Sequence, residues 1–269
     1  MAETPNATGI KAQQEAKAKL TRAAALKSEN PAPIAECAFT FTSGSGFASM
    51  KYCVTANGNI VQFAIPSDVP LISTGDLGEG YGICDATSGT EYSDYGGFGD
   101  SGNWRAAKVL KHDATSVKIA RTTSDGVWTL TQTITQAAAP PSAKIVMTLK
   151  NNTTATRAAA LLRFADVDAD GSPLNTLDAT DNSALGWISA GSAETGQPFG
   201  LELQNLNTVL DDSSFAFVQN IAKPPAPCNP TANFNPGVLN ATDGSLVMLY
   251  RQMYGPQTAV TNTVTYKGW

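Results

Sequence analysis

The sequence predicts an all-β protein, an antiparallel β-sandwich preceded by a short N-terminal helix. Three observations carry that expectation. From residue 34 onward, short runs alternate apolar and polar side chains with a period of two. Clusters of Gly, Asn, Asp and Pro separate these runs. No strand pattern alternates with a helical one, as a parallel βαβ sheet would require. A length of 269 residues fits a single all-β domain of this kind.

The elements follow in order. Residues 8–28 space Ile10, Ala12, Ala16, Leu20, Ala23, Ala24 and Leu26 among Lys and Gln, and alanine is the best helix former. The apolar stripe is thin, so this helix is marginal unless it docks. Asn30-Pro31-Ala32-Pro33 ends it, which divides the chain into a helical arm and linker over 1–33 and a sandwich domain over 34–269. Residues 36–42 place Cys37, Phe39 and Phe41 on one face. Strands at 50–55 and 59–65 flank Ala56-Asn57-Gly58, a hairpin signal because Asn-Gly accepts positive φ.

Strands at 104–110, 116–121 and 127–135 come next, the last two joined through Ser124-Asp125-Gly126. Trp128, Leu130 and Ile134 share one face of the third, and Thr129, Thr131 and Thr133 share the other. Residues 144–150 and 158–164 are more continuously apolar and read as central strands. Further short strands fall at Leu201, Val209, 215–217, 246–250 and 260–266, and the Pro-rich stretch 223–236 reads as a long loop pinned by Cys228.

Composition narrows the function classes. Eighteen basic and 23 acidic residues give a net charge of −5, which argues against nucleic acid as a partner. No run approaches the roughly 18 apolar residues of a membrane span. The single histidine, His112, excludes His-rich zinc sites and limits triad chemistry. Only 15% of residues are charged, below the usual ~25%, and Thr, Ser, Asn and Gly are abundant. That texture and four cysteines predict a secreted protein, extracellular or periplasmic, although residues 1–5 contain neither the basic nor the apolar region of a signal peptide. Cys37, Cys53, Cys84 and Cys228 allow three pairings.

Two regions carry candidate chemistry. Asp166-Val167-Asp168-Ala169-Asp170-Gly171 sets three carboxylates around a glycine turn, a spacing that suits Ca²⁺. An EF-hand loop needs Glu at its twelfth position, where this chain has Leu177; Asp178 and Asp181 lie just beyond and complete a looser set. The expected role of calcium is structural. Asp and Gly are ordinary turn residues, so the same hexapeptide also reads as an acidic β-turn.

The second region, 75–104, is rich in glycine and contains Tyr81, Tyr92, Tyr95, Phe98 and Trp104 with Asp76, Glu79, Asp85, Glu91, Asp94 and Asp100. Aromatic rings and carboxylates on an exposed loop suit sugar binding, and the expected ligand-binding set is Tyr81, Tyr92, Tyr95, Trp104, Glu79 and Asp94. Paired carboxylates would also serve a glycosidase. Gly99-Asp100-Ser101-Gly102 is not a protease nucleophile turn, because His112 follows the serine instead of preceding it. No catalytic residue is assigned.

Residues 52–60 (Tyr-Cys-Val-Thr-Ala-Asn-Gly-Asn-Ile), 79–84 (Glu-Gly-Tyr-Gly-Ile-Cys) and 148–151 (Thr-Leu-Lys-Asn) together resemble a group of secreted bacterial β-sandwich proteins without an assigned activity. The resemblance spans about 36–253. It implies export, and it implies Cys53–Cys84 and Cys37–Cys228 as the disulfides. The strand ending in Thr-Leu-Lys-Asn is also similar to the N-terminal half of galactose-mutarotase-type supersandwiches, whose catalytic histidines are missing here.

The functional expectation is a non-catalytic module that binds a glycan or cell-surface polymer, with a calcium-stabilised loop. A self-assembling subunit of a filament or surface layer, packing against copies of itself through the N-terminal arm, is the alternative. A carbohydrate-active enzyme comes third.

Overall fold

The computed structural model describes residues 37–72, 78–96, 99–188, 198–207 and 214–269. The helix expected over 8–28, the strand at Val209, and Asp76 and Phe98 lie outside these residues. Strands β1 (Phe39–Ser43), β2 (Met50–Val54) and β3 (Ile60–Ala64) form a three-stranded antiparallel meander. The turn between β2 and β3 holds the predicted Asn57-Gly58, with Gly58 at φ 94°, a region that favours glycine.

The chain then shuttles between two larger sheets. Strands β4 (Glu79–Asp85), β5 (Thr90–Tyr95) and β6 (Gly99–Asp100) begin one of them. Strands β7 (Lys108–His112), β8 (Ser116–Thr122), β9 (Trp128–Ala138) and β10 (Pro141–Asn151) lie in the other. The chain returns in β11 (Arg157–Asp166) and crosses again through β12 (Asn175–Ala179), β13 (Ser183–Ile188) and β14 (Phe199–Asn205). Strands β15 (Ser214–Gln219) and β16 (Phe234–Asn235) join the first large sheet, β17 (Leu239–Thr242) the second, β18 (Ser245–Tyr254) the first and β19 (Ala259–Gly268) the second.

The resulting orders are β16-β15-β18-β11-β4-β5-β6 and β17-β12-β13-β14-β19-β10-β9-β8-β7, with antiparallel neighbours throughout. This is the antiparallel sandwich that the period-two pattern predicts.

Packing follows the alternation. From β9, Trp128, Leu130 and Ile134 point inward with Ile145, Met147 and Leu149 of β10, and meet Tyr81, Ile83, Leu161 and Tyr250 of the seven-stranded sheet in one core. Burying a side chain of this size is worth about 1.5–3 kcal/mol. Part of the outer face of the seven-stranded sheet is also buried, where Tyr95, Leu162, Phe164, Phe217, Val247 and Leu249 form a second cluster. The Pro-rich segment lies against that face: the Tyr95 hydroxyl donates to the Pro225 carbonyl at 2.8 Å, and a Cβ on Gly82 would stand 2.7 Å from Pro227.

The disulfides are Cys37–Cys53 and Cys84–Cys228, with Cα separations of 5.6 and 4.8 Å. This corrects the pairing that the resemblance implied, and the register explains why. Strand β1 pairs with β2, which carries Cys37 to Cys53. Cys84 lies on the same face of β4 as Gly82, the outer one, where the Pro-rich segment crosses.

Candidate functional site

The region read as an exposed aromatic loop is in fact the core pair β4 and β5. Tyr81, Tyr92 and Tyr95 are buried, and Trp104, the most accessible ring of the four, is 9% exposed. Glycine made the stretch look like a loop, but close approach is the reason for it here. A Cβ on Gly80 would stand 2.2 Å from the Asp94 carbonyl oxygen, and Gly82 makes room for the Pro-rich segment. The expectation of a stacking platform at Tyr81, Tyr92, Tyr95 and Trp104 is therefore corrected, since these rings pack inward.

The carboxylates of this set are engaged by arginines. Glu79 accepts from the Arg163 guanidinium, from the Tyr266 hydroxyl at 2.9 Å and from the Ile60 N–H at 2.6 Å. Arg163 also donates to the Gln132 side chain and to the Gly58 carbonyl. Burial pushes the Glu79 carboxyl above its ordinary range, and the Arg163 charge works against that shift.

Asp94 pairs with Arg121, whose second nitrogen reaches Asp100 at 2.7 Å and whose guanidinium lies 4.9 Å from the centre of the Trp104 ring. Burial raises Asp94, with Arg121 again opposing. Asp100 is held below the usual carboxylate range: its partial burial acts upward, but hydrogen bonds from Arg121 and the Gly102 N–H outweigh it. Asp85 accepts from Arg157 and from the Trp128 indole N–H. Glu79 and Asp94 are thus each paired with an arginine inside the sandwich.

The aspartate hexapeptide is only partly a cluster. Asp166, at the end of β11, and Asp168 bring carboxylate oxygens within 4.8 Å of each other and of Asp243, which comes from the turn between β17 and β18. Asp170, Asp178 and Asp181 do not join this group. Asp170 sits at φ 56° and its N–H donates to the Pro70 carbonyl. Asp178 lies on β12 and accepts from the Ala179 N–H, and Asp181 lies in the following turn. Oxygens bound to one Ca²⁺ at 2.3–2.6 Å stand at most about 5 Å apart, so the three that meet fit such an ion. Sequence reasoning missed Asp243 because only tertiary pairing of the β17–β18 turn brings it there.

Among the described residues, the outer face of the nine-stranded sheet is the open one. Thr129, Thr131 and Thr133 of β9 point outward beside Thr148 of β10 and Thr261 and Thr263 of β19, and the Thr148 and Thr261 hydroxyls are 2.8 Å apart. At one side of this face Gly200 pairs with both Trp187 and Trp269. The Trp269 indole lies across Gly200, in space that a Cβ would fill, and the Trp187 Cβ borders the same spot. Trp269 is 43% exposed and Trp187 half-buried. Glu202, Gln204 and Lys267 occupy outward positions next to them, with Lys267 bonded to Gln204 and 3.7 Å from Glu202. The alternation of Leu185 and Trp187 with buried Ala184 and Gly186 is the sequence signal that would have placed Trp187 outward.

These features define an all-β sandwich whose seven-stranded sheet is partly covered on its outer face by the Pro-rich segment and whose nine-stranded sheet is open there among the described residues. Among solved structures, a bacterial glucoamylase complexed with acarbose aligns over 90% of this chain and 33% of its own at 8% identity, with a TM-score of 0.59. The chain thus spans about a third of that protein. A galactose mutarotase-like protein from Lactobacillus casei ATCC 334 aligns over 86% of this chain and 100% of its own at 8% identity and a TM-score of 0.48. The heparan sulfate lyase HepC from Pedobacter heparinus aligns over 90% and 37% at 10% identity and 0.47. At these identities the glucoamylase comparison shows a shared fold and no more. No protein-family model and no curated protein sequence matches the chain.

Proposed function

We propose that the protein is an exported, non-catalytic glycan-binding module that holds its ligand on the outer face of the nine-stranded sheet. The observation that carries this reading is the Trp187–Gly200–Trp269 row. Two indoles stand on an open face beside Glu202, Gln204 and Lys267, which supplies rings to stack on sugar and polar groups to meet hydroxyls. The fold shared with the glucoamylase supports the architecture, and the surface supports the ligand class. Two disulfides favour an oxidising compartment, and no helix among the described residues is long and apolar enough to cross a membrane. The non-catalytic part of the proposal is supported by Glu79 and Asp94 being committed to Arg163 and Arg121. A calcium ion at Asp166, Asp168 and Asp243 belongs to the same proposal, with the role of fastening the end of β11 to the β17–β18 turn.

The test is tryptophan fluorescence and calorimetry against a panel of neutral and charged oligosaccharides. Binding is expected to be lost in Trp187→Ala and Trp269→Ala. Gly200→Ala, which forces the Trp269 indole off its seat, is expected to weaken it. Binding that survives all three substitutions overturns this location.

A further inference from the structure

Charge on the open face is segregated in a way that the overall composition hides. The protein carries a net charge of −5, yet the outward positions of β7, β8, β9, β10 and β19 hold lysines, threonines and small residues and no carboxylate. The register fixes where the lysines fall. Lys111 of β7 pairs with Lys118 of β8, whose row continues through Thr133 and Val146 to Thr263. Lys144 stands in the next row on β10, opposite Thr135 and Thr265. Lys267 stands one row further on β19.

Strands are about 4.8 Å apart and alternate residues about 6.7 Å, so Lys118 to Lys144 spans about 12 Å and Lys144 to Lys267 about 8 Å. The lysines therefore form a diagonal that runs into the Trp269 and Trp187 row. Lys118, Lys144 and Lys150 are exposed and make no ion pair among the described residues.

We infer that this face selects a polyanionic glycan, a chain bearing carboxylate or sulfate, laid along the Lys118–Lys144–Lys267 diagonal with a sugar on the Trp269 end. The inference rests on the reading of this face as the glycan site and adds the ligand's charge. Lys118 pairs with Thr133 and Lys144 with Thr135 and Thr265, whereas Lys267 stands between Ser142 and Glu202. The Lys118–Lys144 stretch thus offers cations free of ion pairs among the described residues, and the Lys267 end offers polar groups for sugar hydroxyls beside Trp269. The spacing suits one acidic group per sugar or two. Duplex nucleic acid, with roughly one charge per 1.7 Å, would meet a sparse lysine row on an acidic protein. The lysine part of the face also offers no ring on which a base would stack.

The experiment compares polygalacturonate, heparin, a neutral β-glucan and duplex DNA by calorimetry on the full chain at low and at 0.3 M NaCl. The variants are Lys118→Gln/Lys144→Gln/Lys150→Gln, three exposed positions that leave the core intact, and Trp269→Ala. At least one of the two anionic glycans is expected to bind, to weaken as salt rises, and to lose about tenfold in the triple variant.

Equal binding of the neutral glucan, removed by Trp269→Ala and indifferent to salt and to the triple variant, overturns the anionic selectivity and leaves the glycan site standing. Anionic binding unchanged in the triple variant overturns the diagonal. DNA binding tighter than either glycan overturns the ligand class. Binding of none of the four overturns both the inference and the reading beneath it.

Discussion

Arg163 and Glu79 meet as a fully buried ion pair between the two large sheets, one from β11 and the other from β4. Gln132 of β9 and Tyr266 of β19 reach across from the opposite sheet to complete the hydrogen bonds of both. A buried charge is tolerated only when it is paired and its donors and acceptors are satisfied. This four-residue knot therefore fixes how the sheets face one another.

Removing one partner should expose that dependence. Arg163→Met leaves Glu79 uncompensated and is expected to cost about 3–5 kcal/mol, read by urea unfolding. Adding Glu79→Gln to Arg163→Met should recover a substantial part of the loss. A double variant as unstable as the single one would show that shape at this site, and not charge, sets the cost.

The disulfides should differ in weight. Cys84–Cys228 encloses a separation of 144 residues and Cys37–Cys53 one of 16. The chain-entropy model gives about 5 and about 3 kcal/mol. Paired Cys→Ser variants measured by thermal unfolding should follow that order, and peptide mapping without reduction should recover these two links.

Acid stability should depend on Asp100. Arg121 and the Gly102 N–H hold its folded-state pKa below the unfolded value near 3.9, so the unfolded chain takes up the proton more readily. The stabilisation is fully present above about pH 4 and is lost as pH falls toward the folded value. Asp100→Asn should be less stable than the parent at pH 6, and the gap should close as pH falls below about 4. A gap that stays constant with pH would refute the linkage.

Calcium should raise the melting temperature if Asp166, Asp168 and Asp243 hold it. At one hundred times the dissociation constant the expected stabilisation is about 2.7 kcal/mol. Asp243→Ala and Asp168→Ala should abolish the difference between calcium and EDTA, and Asp178→Ala should leave it intact. No difference in the parent protein would reduce the cluster to an acidic turn.

The strands were legible because alternation is a local property. The inward Trp128, Leu130 and Ile134 and the outward threonines of β9 follow directly from a period of two, and the Asn57-Gly58 turn follows from the φ that glycine permits. What could not be read depends on contacts between distant segments. Gly80 and Gly82 look the same in a loop as in a strand pressed by a neighbour, so the local sequence around Tyr81, Tyr92 and Tyr95 reads as an exposed loop. Glu79 and Asp94 looked like free carboxylates because Arg163 and Arg121 are far away in the chain. The cysteine pairing depended on which face of β4 carries Cys84. Trp187 and Trp269 stood in plain alternation, yet only the sheet order sets them on either side of Gly200.

The Cys84–Cys228 link has a consequence beyond its contribution to stability. It ties the Pro-rich segment to the outer face of the seven-stranded sheet, where Tyr95, Leu162, Phe164, Phe217, Val247 and Leu249 form their own apolar cluster. Reduction is expected to loosen the Pro-rich segment while the inter-sheet core stays packed, exposing part of this apolar cluster. Such a molecule fails first by clumping and only later by unfolding, so reductant should increase light scattering below the melting temperature. The bond thus keeps an apolar surface out of water, and it forms only where the surroundings are oxidising.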